Sequence, residues 1–237
     1  MAPPDFTSNK TFRTFRTLPS STSLPPSTSP PSTSSSASPL STSSASSSSP
    51  HASPEETYYL LAQIKENMSI TKPTLILEDL SSSTFALVWE DSPPSSSPNF
   101  NEFFKARNIK KGNCILIPNA VRSDPPPLTE QEIQEGKPPK QGCVKLKGNG
   151  DELKVFPGTL EKVVGVGQHW AEDMADTSRC WECGATERKG GDDKKLMNCT
   201  GCGGVRYCSK ECQVKGWTEG GHKTVCKVIK AFRDIWP

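Results

Sequence analysis

Residues 180–226 of this chain read CWECGATERKGGDDKKLMNCTGCGGVRYCSKECQVKGWTEGGHKTVC. The stretch holds seven cysteines and one histidine, enough for two tetrahedral shells of four ligands. Zn²⁺ prefers thiolate sulfur and imidazole nitrogen, and a structural zinc site leaves no coordination position open. The spacing therefore predicts two structural Zn²⁺ ions as cofactors. The candidate ligands are Cys180, Cys183, Cys199, Cys202, Cys208, Cys212, His222 and Cys226.

Disulfides and buried free thiols are the alternative interpretations of this cysteine pattern. Disulfides require an oxidising compartment, and the sequence shows no secretory signal. Two C-x2-C turns and an H-x3-C pair are instead typical of zinc ligands. The H-x3-C spacing places His222 and Cys226 one helical turn apart on the same helix face.

The order of these ligands resembles a MYND-type zinc finger. Residues 207–213 (YCSKECQ) are similar to the central signature of that family, and Trp217 and His222-Lys223 follow in the expected order. The resemblance covers the last quarter of the chain and implies a cross-brace, in which alternate ligand pairs share a metal. One ion would be held by Cys180, Cys183, Cys208 and Cys212, and the other by Cys199, Cys202, His222 and Cys226. The sequence departs from the family at 218–221, where four residues stand instead of the usual two.

The resemblance also implies a partner-binding surface at Gln213 and Trp217. In MYND fingers that bind partners, the matching residues line a shallow groove for proline-containing peptides. The alternative is that Trp217 only packs against the zinc shell. We therefore expect protein partners with proline-containing segments. One such segment lies in the chain itself, at 125–129 (PPPLT), and could dock on its own finger or on another copy.

The N-terminal 52 residues are predicted to be a disordered Ser/Pro-rich tail. About half of residues 19–53 are serine, and such a composition buries too little apolar surface to offset the entropy of ordering. Residues 1–17 carry Lys10, Arg13 and Arg16 among phenylalanines, but the proline pair and Asp5 argue against a mitochondrial targeting helix.

Residues 53–170 are predicted to form a small α+β domain with about five strands. A capping box at 53–56 and helical spacing of Tyr58, Leu61, Ile64 and Met68 predict an opening helix. The predicted strands are 74–77, 84–89, 113–117, 143–146 and 153–156. A second capping box, at Thr129, predicts a short helix.

The turn signal at 148–151 (GNGD) predicts a hairpin between the last two strands. This order of elements is similar to an OB-like barrel, a small β-rich plan that often binds oligonucleotides. Nucleic-acid binding through this middle domain is therefore the alternative function, although net charge is only +2.

Residues 171–237 form the predicted finger with a C-terminal helix that covers the metal sites. Before it, Thr159 caps a helix that Gly165 and Gly167 are expected to end. His169 has no vacant shell to fill, and we interpret it as a surface or packing residue. The remaining cysteines, Cys114 and Cys143, are expected to be buried free thiols.

We expect a non-enzymatic protein that binds partners through the finger. Some methyltransferases carry a MYND insertion, but only eleven residues follow Cys226, and we find no motif for their cofactor. No apolar run is long enough for a membrane helix. The expected location is the nucleus or cytoplasm, with mitochondrial targeting not expected.

Overall fold

The computed structural model describes residues 4–21, 57–90, 100–138, 141–148, 150–170, 178–187 and 195–236. The strands are β1 (Phe12–Arg13), β2 (Tyr59–Asn67), β3 (Thr74–Asp79), β4 (Thr84–Trp89), β5 (Cys114–Pro118), β6 (Arg122–Ser123), β7 (Cys143–Leu146), β8 (Lys154–Phe156), β9 (Met197–Asn198) and β10 (Arg206–Tyr207). The helices are α1 (Phe100–Ala106), α2 (Glu130–Gln134), α3 (Leu160–His169), α4 (Lys210–Thr218) and α5 (His222–Ile235).

Most of the strands form one mixed sheet in the order β6-β7-β4-β3-β2-β5-β8, with β1 pairing in parallel with β2. In β3 and β4 every second side chain is buried, as expected when strands alternate between two faces. Among the described strands β6 and β8 remain the two ends of this path, so the sheet is open. The expected β-rich region is confirmed, with eight described strands in the sheet where about five were expected, and an OB-like barrel is not supported.

The opening helix predicted over 53–68 is wrong, because residues 59–67 form the central strand β2. Both faces of β2 are covered: Leu60 packs on one side and Leu61 on the other, and both are fully buried. A strand buried on both faces has no strict alternation, so its apolar spacing can match that of a helix. The proposed cap at 53–56 lies outside the described residues.

The predicted hairpin over 143–156 is also wrong, although both of its strands exist. Strand β7 pairs with β4 and β6, whereas β8 pairs with β5. These two strands therefore lie toward opposite edges of the sheet. Gly148 and Gly150 do adopt the positive φ angles expected of glycines in a turn. The partners of β7 and β8, however, are set by the rest of the sheet and not by this local turn.

Part of the predicted disordered tail belongs to the folded core. Phe6, Phe12, Phe15 and Leu18 are buried, and strand β1 extends the sheet beside Tyr59. The buried carboxylate of Asp79 accepts a 2.6 Å hydrogen bond from the backbone N–H of Phe15. Residues 22–52 of the predicted tail lie outside the described residues.

Helix α3 runs through both glycines that were expected to end it. Gly167 is buried, and a Cβ atom there would collide with the ring of Phe6. Glycine in this helix therefore makes room for the N-terminal segment, and packing outweighs its low helix propensity.

Two hydrophobic cores lie on the two faces of the sheet. The domain core contains Trp89, Phe103, Phe104 and the inner side chains of β3 and β4. The junction core lies on the other face and joins the sheet to α3 and α5. Its buried members are Phe6, Phe12, Leu61, Cys114, Leu116, Phe156, Val163, Val228, Phe232 and Trp236.

Helix α5 was expected to cover the metal sites, but it does more than that. Its Ile229 packs in the finger, while its Val228 and Phe232, together with Trp236 just after the helix, lie in the junction core. The helix therefore fastens the finger to the sheet. None of the helices in the described residues is long and apolar enough to span a membrane.

Candidate metal centre

Two clusters of sulfur and nitrogen atoms lie in the C-terminal region. One contains Cys180, Cys183, Cys208 and Cys212, and the other contains Cys199, Cys202, His222 and Cys226. In each cluster the four potential ligand atoms lie within 4.8 Å of one another. These are the two sets that the cross-brace resemblance implies.

The spacing of the ligand atoms fits a tetrahedral zinc ion. Zn–S bonds of about 2.3 Å place the sulfurs of a tetrahedron about 3.8 Å apart. In the first cluster the Sγ of Cys208 lies 3.5 Å from the Sγ atoms of both Cys183 and Cys212. In the second, the Sγ atoms of Cys199 and Cys226 lie 3.9 Å apart. The two clusters therefore fit two structural Zn²⁺ ions.

The first cluster is assembled from a turn and the start of α4. The turn at 180–184 is closed by a 2.8 Å hydrogen bond from the Gly184 N–H to the Cys180 carbonyl. Ser209 caps α4 by accepting a hydrogen bond from the Cys212 N–H, which holds Cys208 and Cys212 at the beginning of the helix.

The second cluster is assembled from the β9–β10 turn and the start of α5. Cys199 and Cys202 lie in that turn, where the Gly203 N–H donates to the Cys199 carbonyl at 2.7 Å. His222 and Cys226 lie on the first turns of α5, as the H-x3-C spacing predicts. The Nε2 atom of His222 lies 3.2 Å from the Sγ of Cys199 and 3.6 Å from that of Cys202.

Electrostatics also favour a cation in both clusters. Burial, together with the neighbouring sulfurs, raises the pKa of Cys208 and of Cys226 to about 12. Burial opposes ionisation of Cys180 too, but hydrogen bonds from nearby backbone N–H groups lower its pKa to about 7. The four thiols of the first cluster and the three of the second cannot all ionise without a positive charge between them, and a divalent ion supplies it. Burial lowers the pKa of His222, which keeps its imidazole neutral and able to donate a lone pair.

The chemistry available to such sites is structural. Four protein ligands complete a tetrahedral shell, and no position remains for a metal-bound water. Ions held in this way stabilise the surrounding fold.

A groove of about 370 Å³ adjoins the second cluster, and Cys199 and His222 of that cluster form part of its lining. Gln213 and Trp217 both line it, so the structure places these two predicted residues on one surface. The Trp217 ring packs edge-on to His222, with 5.6 Å between centroids, and the side chain is still 39% exposed. Trp217 therefore contacts the cluster and also faces solvent.

The four-residue segment between Trp217 and His222 is accommodated by a glycine. Gly221 caps α5 with a positive φ of 73°, a conformation that glycine adopts readily. Helix α4 ends at Thr218, and the chain turns back so that α5 begins beside Trp217.

Sequence reasoning missed Val214, which lines the groove and is 56% exposed. The sequence could have indicated this residue, because it is an apolar side chain three positions before Trp217 on an otherwise polar helix.

The other singled-out residues lie apart from the clusters. Cys114 is buried in the junction core, where its Sγ donates to the Gly158 carbonyl at 3.2 Å. Cys143 is half-buried in β7, so it is less enclosed than expected. His169 is exposed at the end of α3 and lines a second groove between α3 and α5.

Comparison with known proteins agrees with this geometry. The family model described as "MYND finger" matches residues 180–226. Within this region the chain is 41% identical over 44 residues to the human protein "Histone-lysine N-methyltransferase SMYD3". That match covers 19% of this chain and 10% of the human protein, so the similarity concerns the finger. With its two Cys/His clusters in cross-brace order, the segment 180–226 is a MYND-type zinc finger, a protein-interaction module.

Proposed function

We propose that this chain is a non-enzymatic interaction protein whose finger binds proline-containing segments of partner proteins. In this proposal the eight clustered residues are the ligands of two structural Zn²⁺ ions, and Gln213 and Trp217 are the partner-binding residues. The observation that supports it best is the exposed indole of Trp217 at the edge of a groove beside the metal cluster.

The groove has the chemistry needed for a proline segment. Trp217 and Val214 supply an exposed apolar surface against which pyrrolidine rings can pack. An extended proline helix loses little conformational entropy on binding, because its backbone is already restricted. Gln213 is half-buried between the groove wall and solvent, where its amide can hydrogen-bond a peptide backbone and set its register.

Titration of the zinc-loaded chain with proline-containing peptides would test the proposal. Each peptide is compared with a version in which alanine replaces proline. We expect Trp217→Ala to weaken binding by roughly 30-fold, the loss of a hot-spot aromatic side chain, and Gln213→Ala to weaken it less. Glu219→Ala, at an exposed position just after α4, is the matched control and should bind as the wild type does.

The result depends on intact fingers, so zinc content is measured for every variant. Equal binding by wild type and Trp217→Ala, both carrying two zinc ions, would contradict the groove assignment. Binding that ignores the proline-to-alanine change would contradict the proposed ligand class.

Two other functions have weaker support. Nucleic-acid binding rested on an OB-like barrel, and the open sheet removes that argument. Methyltransferase activity belongs to the human relative, of whose length the match covers one tenth, and the shared part is the binding module.

A further inference from the structure

The two metal clusters differ in their access to solvent. All four residues of the second cluster are buried, and His222 is completely enclosed. In the first cluster Cys180 and Cys208 are buried, but Cys212 is half-buried and Cys183 is exposed. A small dissolved oxidant can therefore reach the first cluster directly at Cys183, whereas protein surrounds the second cluster.

The ligand sets of the two clusters also differ in charge. The four thiolates of the first cluster exceed the charge of one Zn²⁺ ion by two. The three thiolates and neutral imidazole of the second exceed it by only one. Sulfurs that keep more negative charge are better nucleophiles, and the thiolate is the form of cysteine that attacks an electrophile. Charge and exposure therefore both make the first cluster the more reactive one.

Helix α4 depends on the first cluster more than on packing. Cys208 lies directly before its cap and Cys212 in its first turn, while Gly216 is the one buried residue of this fully described helix. A helix of nine residues is marginal by itself in water. Helix α5, by contrast, is anchored in the junction core by Val228 and Phe232. Opening the first cluster should therefore release α4 and leave α5 on the sheet.

We propose that Cys183 is an oxidation site, at which a hydroperoxide opens the first cluster and releases its zinc ion while the second cluster stays intact. Helix α4 carries Gln213 and Trp217, so the same reaction switches off partner binding, a consequence that rests on the proposed function of the groove. A thiol reductant and fresh Zn²⁺ reverse the change, because a disulfide is reducible.

The chemistry at Cys183 balances with hydrogen peroxide as the oxidant. The Cys183 thiolate attacks one peroxide oxygen, so that an S–O bond forms, the O–O bond breaks, and the departing hydroxide takes up a proton to become water. The Sγ of Cys208 lies 3.5 Å from that of Cys183, and a disulfide bond is about 2.0 Å long.

The Cys208 thiolate therefore needs only a small movement to attack the sulfenic sulfur. The S–S bond forms, the S–O bond breaks, and the second hydroxide also leaves as water after protonation. The two thiolates have then lost two electrons, which reduced the peroxide. The disulfide removes two of the four ligands of the first cluster, so the remaining pair cannot hold a zinc ion firmly.

Titration of the zinc-loaded full chain with hydrogen peroxide tests the proposal. A zinc-sensitive dye should report release in two phases, with one of the two ions lost in the faster phase. After acid quenching and alkylation, mass spectrometry should then find a disulfide that contains Cys183, with Cys208 as the expected partner. The cysteines of the second cluster should still be reduced. Circular dichroism should show loss of helix from α4 with an unchanged melting temperature of the sheet.

Two variants locate the reactive sulfur. Cys183→His keeps a zinc ligand but has no thiolate at the exposed position, so it should hold two ions and lose the fast phase. Cys143→Ser changes a half-buried cysteine outside both clusters and should react as the wild type does. If Cys183→His does not hold two ions, the order in which the wild-type cysteines are oxidised decides the proposal instead.

Three results would overturn the assignment of Cys183. They are simultaneous release of both ions, a first disulfide among the cysteines of the second cluster, and a fast phase that persists in fully zinc-loaded Cys183→His. None of these measurements needs a bound partner, so they stand whether or not the groove binds proline peptides.

Peptide binding before and after the fast phase tests the consequence for the groove. If no proline peptide binds the reduced chain, the proposed function fails, and metal release together with the disulfide map still decides the oxidation site. If a peptide binds equally well before and after oxidation of Cys183, the proposed function stands and the control of binding by oxidation is overturned.

Discussion

The ring of Phe232, in helix α5, lies 4.9 Å from the ring of Phe156 in strand β8. Phe232 is fully buried and also contacts the rings of Phe6, Trp170 and Trp236 at centroid distances of 5.0–5.4 Å. The same helix begins with His222 and Cys226 of the second metal cluster. One helix thus carries candidate zinc ligands at one end and the anchor to the sheet at the other, so the finger and the sheet are energetically linked.

Replacing Phe232 should therefore destabilise the whole junction. Phe232→Ala removes a fully buried ring and leaves a cavity between α5, β8 and the N-terminal segment, at a cost of about 3–5 kcal/mol. Urea unfolding followed by circular dichroism measures the loss. Lys227→Ala, an exposed change on the same helix, should shift the free energy of unfolding by less than about 0.5 kcal/mol. A small effect of Phe232→Ala would show that α5 does not hold the sheet.

Removal of zinc should affect the sheet as well as the finger. We expect about two Zn²⁺ per chain, which a strong chelator releases with loss of helical signal from α4 and α5. Once α5 loosens, Val228 and Phe232 no longer cover the sheet, and its melting temperature should fall by about 5 °C or more. Metal analysis and thermal melts with and without chelator test this. An unchanged melt of the sheet would contradict the linkage.

Two glycines of α3 provide a matched pair of substitutions. Gly167→Ala places a methyl group against the Phe6 ring, and the resulting overpacking should cost about 1–3 kcal/mol. Gly165→Ala meets no atom within 4 Å and should stabilise the helix by up to about 1 kcal/mol. Thermal unfolding compares the two variants. Equal effects would mean that the N-terminal segment does not pack on α3.

Cys114 should be unreactive in the native protein. Burial raises the pKa of its thiol to about 12, so that at pH 8 only roughly 10⁻⁴ of it is thiolate. The raised pKa keeps the Cys114 thiol protonated and therefore a poor nucleophile. The thiol becomes reactive only as the pH approaches 12 or as the protein unfolds. Alkylation followed by mass spectrometry at pH 7–9 should modify the half-buried Cys143 before Cys114. Mass spectrometry assigns each label to its own peptide, and labelling of Cys114 should be equally slow in the control variant Cys143→Ser. Rapid native labelling of Cys114 would contradict its buried position.

Local sequence determined the finger almost completely. Its C-x2-C turns, its H-x3-C pair and the Ser209 cap each act over a few residues, and zinc chemistry permits few other uses for eight such ligands. The capping box at Thr129 and the alternating strands β3 and β4 were predictable for the same reason, because neighbours in sequence decide them.

The tertiary structure decided the features that depend on distant partners. Strand β2 resembled a helix because it is covered on both faces, and β7 and β8 resembled a hairpin because only the sheet order shows that each pairs elsewhere. Phe6 sits where a tail was expected, since its burial requires Gly167 and Phe232 to be nearby. The spacing of residue types along the sequence predicts contacts within a turn or a helix. Burial against residues far along the chain arises only once the chain has folded.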